Sequence, residues 1–143
     1  MQQLDNLVRI GQLKPEPAGE GEIEGLVRSA EIRLKDAARS SNALESRFDL
    51  AYNGAHAVSL AALRLRGYRS ENRYLVFQTL IHTVELSHED WRVLDAAHRK
   101  RNTAEYEGVA DVDEATVAAT LRVANEVLVR VRKLLPKPRG RQR

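Results

Sequence analysis

Cysteine is absent from the 143 residues. That excludes disulfides, thiolate metal sites and cysteine nucleophiles, and with them a secreted scaffold stapled by disulfides. Glycine and proline are scarce, at 8 and 4 residues, so the frequent turn signals of a sandwich or a disordered chain are missing. No stretch approaches the roughly 18 apolar residues of a membrane span. The opening MQQLDNLVRIGQ lacks the basic end and apolar run of a signal peptide. The expectation is a cytoplasmic protein with no membrane partner.

What remains is a chain long enough for one domain with its own core, 43 % hydrophobic and 30 % charged. This is the balance of amphipathic helices. The net charge of +3 conceals an asymmetry. Seven basic residues (Arg130, Arg132, Lys133, Lys137, Arg139, Arg141 and Arg143) and no acidic one fall between Arg130 and Arg143, which leaves acids in excess elsewhere. With Pro136, Pro138 and Gly140, the end of KLLPKPRGRQR cannot continue a helix, and residues 136–143 are expected as a mobile basic tail. Such a tail is either a solvated extension or one that strengthens contact with phosphates regardless of sequence.

Residues 14–22, KPEPAGEGE, read as a linker after a short amphipathic start carrying Leu4, Leu7 and Val8. The domain organisation expected is therefore an N-terminal segment and linker over 1–22, a helical bundle over 23–135 and the tail. Ile23, Leu26, Val27, Ala30, Leu34, Ala37 and Ala38 keep the spacing of one helical face. A second helix follows through LESRFDLAYNGAHAVSLAALRLRG, with Phe48, Ala51, Tyr52, Ala55, Ser59, Ala62 and Leu63 inward and Gly67 as its stop. So many alanines on one stripe imply close approach of a neighbouring helix. A third is expected from near Ser70, over Glu71 to Glu85, a fourth from a Ser87 cap to Gly108, and a fifth from an Asp113 cap. The last carries the strongest periodicity, Val117, Leu121, Ala124, Val127, Leu128, Val131 and Leu135. Nothing alternates with period two. The fold class is all-α, an up-and-down bundle of four to five antiparallel helices.

Chemistry concentrates in HRKRNTAEYEG, residues 98–108. Trp91, Leu94, His98, Arg101 and Glu105 share one stripe of the fourth helix, apolar at its start and polar at its end, while Arg99, Asn102 and Tyr106 form a neighbouring stripe. A stripe that turns from core to His, Arg and Glu either leaves the protein body or meets a partner that uses those groups. An ordinary helix end accounts for the same residues: Arg101 and Glu105 as an i, i+4 pair, basic side chains favoured by the helix dipole, and Tyr106 capping the core.

Arg101, Asn102 and Tyr106 on the penultimate long helix, together with FDLAYNGAHAVSLAALRLRGYRSENR before it, resemble HEPN domains, in particular their small bacterial branch. The resemblance covers most of residues 23–135. It implies a HEPN-like bundle forming a homodimer, with a metal-independent endoribonuclease site at the two-fold interface. It also implies RNA or nucleotide as ligand, no cofactor, and a toxin–antitoxin setting with an antitoxin or nucleotidyltransferase partner. Arg101 matches the family's arginine and Asn102 its polar neighbour. Tyr106 stands where the family has histidine, with four residues between it and Arg101.

That exchange bears on catalysis. Metal-free RNA cleavage needs a base for the ribose 2′-hydroxyl proton and a cation for charge developing at phosphorus. An imidazole, with an ordinary pKa of about 6.5, serves as base at neutral pH, whereas a phenol, at about 10, is protonated there and serves as a hydrogen-bond donor. Loss of a general base costs on the order of 10²–10⁴ in rate. Arg101 still suits a bidentate grip on phosphate. His98 and Glu105, one turn to either side of Arg101, are candidate replacement bases, in one subunit or across a symmetric dimer. His56, four residues after Tyr52, is a further candidate, although beside an alanine-rich stripe it reads first as structural. With no cysteine and scattered histidines a metal site is not expected. Two functions follow: an RNA-contacting ribonuclease or toxin-like component, and a non-catalytic module in which the same residues order a dimer or dock a protein.

Overall fold

The computed structural model describes residues 1–108 and 112–136, except the side chains of 105–107. In chain order the elements are α1 (Gln2–Arg9), β1 (Lys14–Pro15), α2 (Glu22–Ala37), α3 (Leu44–Leu65), β2 (Tyr68–Arg69), α4 (Arg73–Gln78), α5 (Leu80–Thr83), α6 (His88–Glu107) and α7 (Glu114–Leu134). The protein is mostly helical, as the periodicity requires. Among the described residues no helix is long and apolar enough to cross a membrane. The basic tail beyond residue 136 lies outside the described residues, whereas Arg130, Arg132 and Lys133 belong to α7.

Helix ends follow local side-chain chemistry. The Ser87 hydroxyl accepts from the Asp90 amide at 3.1 Å, and Asp113 Oδ1 accepts from the Thr116 amide at 2.8 Å. Each satisfies an amide that the first turn leaves without a partner. Gly108 ends α6 in the left-handed region, at φ 71°.

Arginine contacts at both ends show the direction of the long helices. Arg47, at the start of α3, donates through Nε to the Ala37 carbonyl at the end of α2 (2.8 Å), while Arg64, at the end of α3, meets Glu22 at the start of α2. These two helices are therefore antiparallel. Between them Gly54 lets Leu34 come so close that a Cβ on residue 54 would lie 2.7 Å from Leu34 Cδ2. Arg47 Nη1 also reaches Glu114 Oε1 at 3.0 Å, so α3 and α7 begin side by side and run the same way. Arg122 on α7 pairs with Asp90 at 3.2 Å, which places the start of α6 beside the middle of α7, the two helices antiparallel.

The main core joins these helices through Val27, Leu34, Phe48, Val58, Leu94, Val117, Val127 and their neighbours. Fully burying a Val or Leu side chain contributes about 1.5–3 kcal/mol, whereas an exposed pair such as Arg132 with Glu31 is worth about 0–1 kcal/mol. The α7 stripe therefore dominates its docking.

Two stretches depart from the periodic reading. The expected third helix over Glu71–Glu85 is broken at Thr79 into α4 and α5 and ends at Thr83. Its cap is Asn72, whose Oδ1 accepts from the Leu75 amide at 3.0 Å. Beyond α5 the backbone turns through Glu85 at φ 55°, and Arg130 Nη1 donates to the Val84 and Glu85 carbonyls, each at 3.0 Å. The 14–22 segment, rich in proline and glycine, is anchored along its length. β1 pairs antiparallel with β2, Lys14 opposite Arg69, and a second apolar cluster gathers Leu4, Leu13, Leu63, Tyr68, Leu75 and Val76 beneath it. Tyr68 donates its hydroxyl to Asp5, tying α1 down as well.

Candidate functional site

The polar end of α6 meets α3 and α4 around one buried ring. Tyr52 on α3 is 1 % exposed, held edge-on against Phe77 of α4 at 5.7 Å between centroids. A buried phenol needs a partner for its hydroxyl. Tyr52 finds it in His98 of α6, with Oη 2.9 Å from Nδ1 and the two rings stacked at 6.1 Å. The other ring nitrogen, Nε2, lies 3.3 Å from the Asn102 side-chain amide nitrogen, one turn on. An amide nitrogen only donates, so this pairing makes Nε2 an acceptor and puts the proton of the neutral ring on Nδ1, facing Tyr52.

Two guanidiniums cap the same tyrosine. Arg101 Cζ lies 4.6 Å from its centroid, and Arg73 Cζ, on the first turn of α4, lies 5.6 Å from it. Both distances fall inside the roughly 6 Å range of cation–π attraction. Arg73 Nη1 also donates to Asn53 Oδ1 at 3.2 Å. Arg101 Nε comes no nearer than 3.9 Å to Asp49 Oδ1, on a side chain 61 % exposed. At that distance and exposure the pair neutralises little.

Among the described residues the local balance is therefore positive, and the imidazoles respond. His56, one turn beyond Tyr52 and edge-on to Phe77, has its pKa lowered to about 4 by burial first, then by Arg73, Arg101 and His98. His98 is lowered too, chiefly by burial and further by Arg101 and Arg73, against an opposing pull from Asp95. Both rings are neutral at pH 7, so His98 Nε2 carries a lone pair beside a cation.

Of the residues expected from sequence, His98, Arg101 and Asn102 converge here. Arg99 turns outward to Asp95, at 2.9 Å. Glu105 and Tyr106 continue α6, and their side chains lie outside the described residues. His56 joins the cluster through Phe77 and through the field of the same arginines.

Sequence reasoning passed over Asp49, Asn53, Arg73 and Tyr74, and placed Tyr52 in the core without its polar role. One signal was available: Asp49 and Asn53 fall one turn apart beside Tyr52, so a polar flank adjoins the inner stripe. For Arg73 and Tyr74 only tertiary packing shows that α4 lies against α6. Among the described residues no group of three His, Asp or Glu side chains is placed to hold a metal ion.

Comparison with protein-family models, with curated proteins and with solved structures gave no match.

Proposed function

We propose that the chain is a HEPN-like protein that contacts RNA through the Tyr52 cluster, with Arg101 and Arg73 on phosphate and His98 as the base of a metal-independent endoribonuclease. The observation that carries this reading is the juxtaposition of a neutral His98 with two guanidiniums over one ring. His98 thereby takes the task for which Tyr106 is unsuited. In the reaction the substrate displaces the Asn102 amide from Nε2, the ribose 2′-hydroxyl proton passes to Nε2 and the 2′-oxygen bonds to phosphorus. The bond from phosphorus to the 5′-oxygen breaks, and that oxygen leaves with a proton from water, giving a 2′,3′-cyclic phosphate and a 5′-hydroxyl. Arg101 holds the charge that grows on the phosphoryl oxygens. In the homodimer this reading carries over from the resemblance, two such clusters face a common two-fold axis, and an antitoxin or nucleotidyltransferase would act as regulator.

A second reading has its own support. His98 Nδ1 is pinned to a buried tyrosine, as a purely structural histidine would be, which suits a module that binds without cleaving. One experiment separates the two. Mixed cellular RNA is incubated with wild type, Arg101→Ala and His98→Gln in the presence of chelator. Chelator-insensitive cleavage lost in both variants, with RNA binding retained by His98→Gln, is the expected result. Binding weakened by Arg101→Ala with no cleavage by any form would favour the binding module. RNA neither bound nor cut would reject the RNA reading and leave a module that orders a dimer or docks a protein.

A further inference from the structure

Tyr74 is the one exposed Phe, Tyr or Trp ring among the described residues, 39 % accessible beside a core that buries its neighbours Leu75, Val76 and Phe77. Its position is specific. The ring centroid lies 6.1 Å from that of His98, tilted at 43°, and His98 in turn stacks on Tyr52. The preceding residue is Arg73, whose guanidinium lies over Tyr52, as does that of Arg101. An aromatic ring left in water thus stands beside an imidazole, which in turn stacks on the ring that two cations cap. The flat ring suits a base, and the cations suit the phosphates that flank it. Proteins that hold single strands combine these two parts, an aromatic surface for the base and positive charge along the backbone. In a duplex the bases already stack on one another and present no free face.

We infer that Tyr74 is a stacking platform for one unpaired base, and that it makes the site selective for single-stranded over double-stranded RNA. The inference rests on the reading of the cluster as an RNA phosphate contact, and it adds the residue that discriminates among RNA forms. Tyr74 is a specificity-determining residue here, with no part in proton transfer.

The test measures binding by fluorescence anisotropy with three labelled probes of equal length: a single RNA strand, the same strand annealed to its complement, and a strand whose central nucleotides lack bases. Wild type, Tyr74→Phe and Tyr74→Ala are compared across a salt series. The expected result is that wild type binds the single strand about tenfold more tightly than either other probe. Tyr74→Ala then loses that advantage and Tyr74→Phe keeps it. The salt dependence stays the same in all three, because no phosphate contact has been removed. Equal binding of the single strand and the abasic strand by wild type, with both dependent on Arg101, would overturn the stacking role and leave the phosphate reading standing. Binding of no probe would overturn both. Unchanged single-strand affinity in Tyr74→Ala would sink the inference on its own.

Discussion

Tyr52 Oη and His98 Nδ1 lie 2.9 Å apart, so the one tyrosine hydroxyl of α3 fixes the ring through which α6 presents Nε2. Replacing Tyr52 by Phe removes that partner and keeps the ring. A net hydrogen bond is worth about 0.5–1.5 kcal/mol, so the stability of Tyr52→Phe should fall by about 1 kcal/mol, read from denaturant midpoints at unchanged slope. The local effect is larger. Without the hydroxyl only the Asn102 amide on Nε2 favours the proton on Nδ1, and ¹⁵N shifts of His98 should move from a dominant Nδ1–H form toward a mixture of tautomers. Unaltered shifts would show that Asn102 alone fixes the ring.

His56 predicts an acid-sensitive fold. Its folded pKa of about 4 lies below the ordinary value of 6.5, because burial and the charges of Arg73, Arg101 and His98 disfavour the imidazolium. Between those two values the unfolded chain binds the proton and the native chain does not. Its stabilising contribution is therefore complete above about pH 6.5 and is lost as pH falls toward 4. His98, lowered in the same direction, adds to it. The loss between pH 7 and pH 4 should be on the order of 2 kcal/mol, and His56→Gln should flatten the slope of stability against pH in that window. A variant with the wild-type slope would remove His56 as its source.

The pattern of the chain reveals its helices more readily than its site. Ser87, Asp113 and Gly108 mark real helix ends, because capping is a contact within four residues and needs no knowledge of the fold. The alanine stripe on α3 announces a close neighbour, and Gly54 beside it is a position where even one added carbon would meet Leu34. The break at Thr79 escapes a periodicity count. Its backbone stays in the right-handed region, and its hydroxyl donates to the Val76 carbonyl at 2.8 Å, so only the hydrogen-bond ladder changes. The site divides the same way. His98, Arg101 and Asn102 sit on one helix and are visible at steps of three and four. Tyr52, Arg73 and Tyr74 reach them from two other helices, a relation that exists only after packing. Buried arginines are equally hidden: Arg47 and Arg64 fall in helical sequence like any surface residue, yet they are 6 % and 2 % exposed.

Arg64 should prove more important than its charge suggests. Its Nε meets Glu22 Oε2 at 2.7 Å, and its other nitrogens donate to the carbonyls of Glu16 (2.9 Å), Pro17 (3.2 Å) and Tyr68 (3.2 Å). Arg64→Met would leave all of these without their donor. Losing a buried cation that holds several acceptors should cost about 2–4 kcal/mol, whereas Arg69→Ala, which breaks an exposed pair with Glu16, should cost under about 1 kcal/mol. Hydrogen exchange should show the difference as faster exchange across residues 14–22 in Arg64→Met alone. Acid should act on the same contact. The Arg64 hydrogen bond and the Gly19 amide hold the Glu22 carboxyl at about 2, so its contribution is present above the ordinary 4.5 and is lost as pH falls toward 2. Equal exchange in the two variants would mean that the segment is held by β1 and the Leu4 cluster without Arg64.

Gly54→Ala sets two effects against each other. In a helix interior alanine is favoured over glycine by about 1 kcal/mol. At this position, however, the new Cβ would stand 2.7 Å from Leu34 Cδ2, 2.9 Å from Leu34 Cγ and 3.4 Å from Arg33 Cβ. Leu34 is 4 % exposed within the main core and has little room to retreat. Overpacking of this kind costs about 1–3 kcal/mol, so the clash should outweigh the propensity and Gly54→Ala should be destabilising by about 1–2 kcal/mol. The double mutant decides the cause. Leu34→Ala alone opens a cavity and should cost about 2–4 kcal/mol. In that background the residue 54 methyl has space, and Gly54→Ala should become neutral or stabilising. A coupling of opposite sign, or none, would show that α2 and α3 separate as a unit and that the close approach at residue 54 is not what sets their spacing.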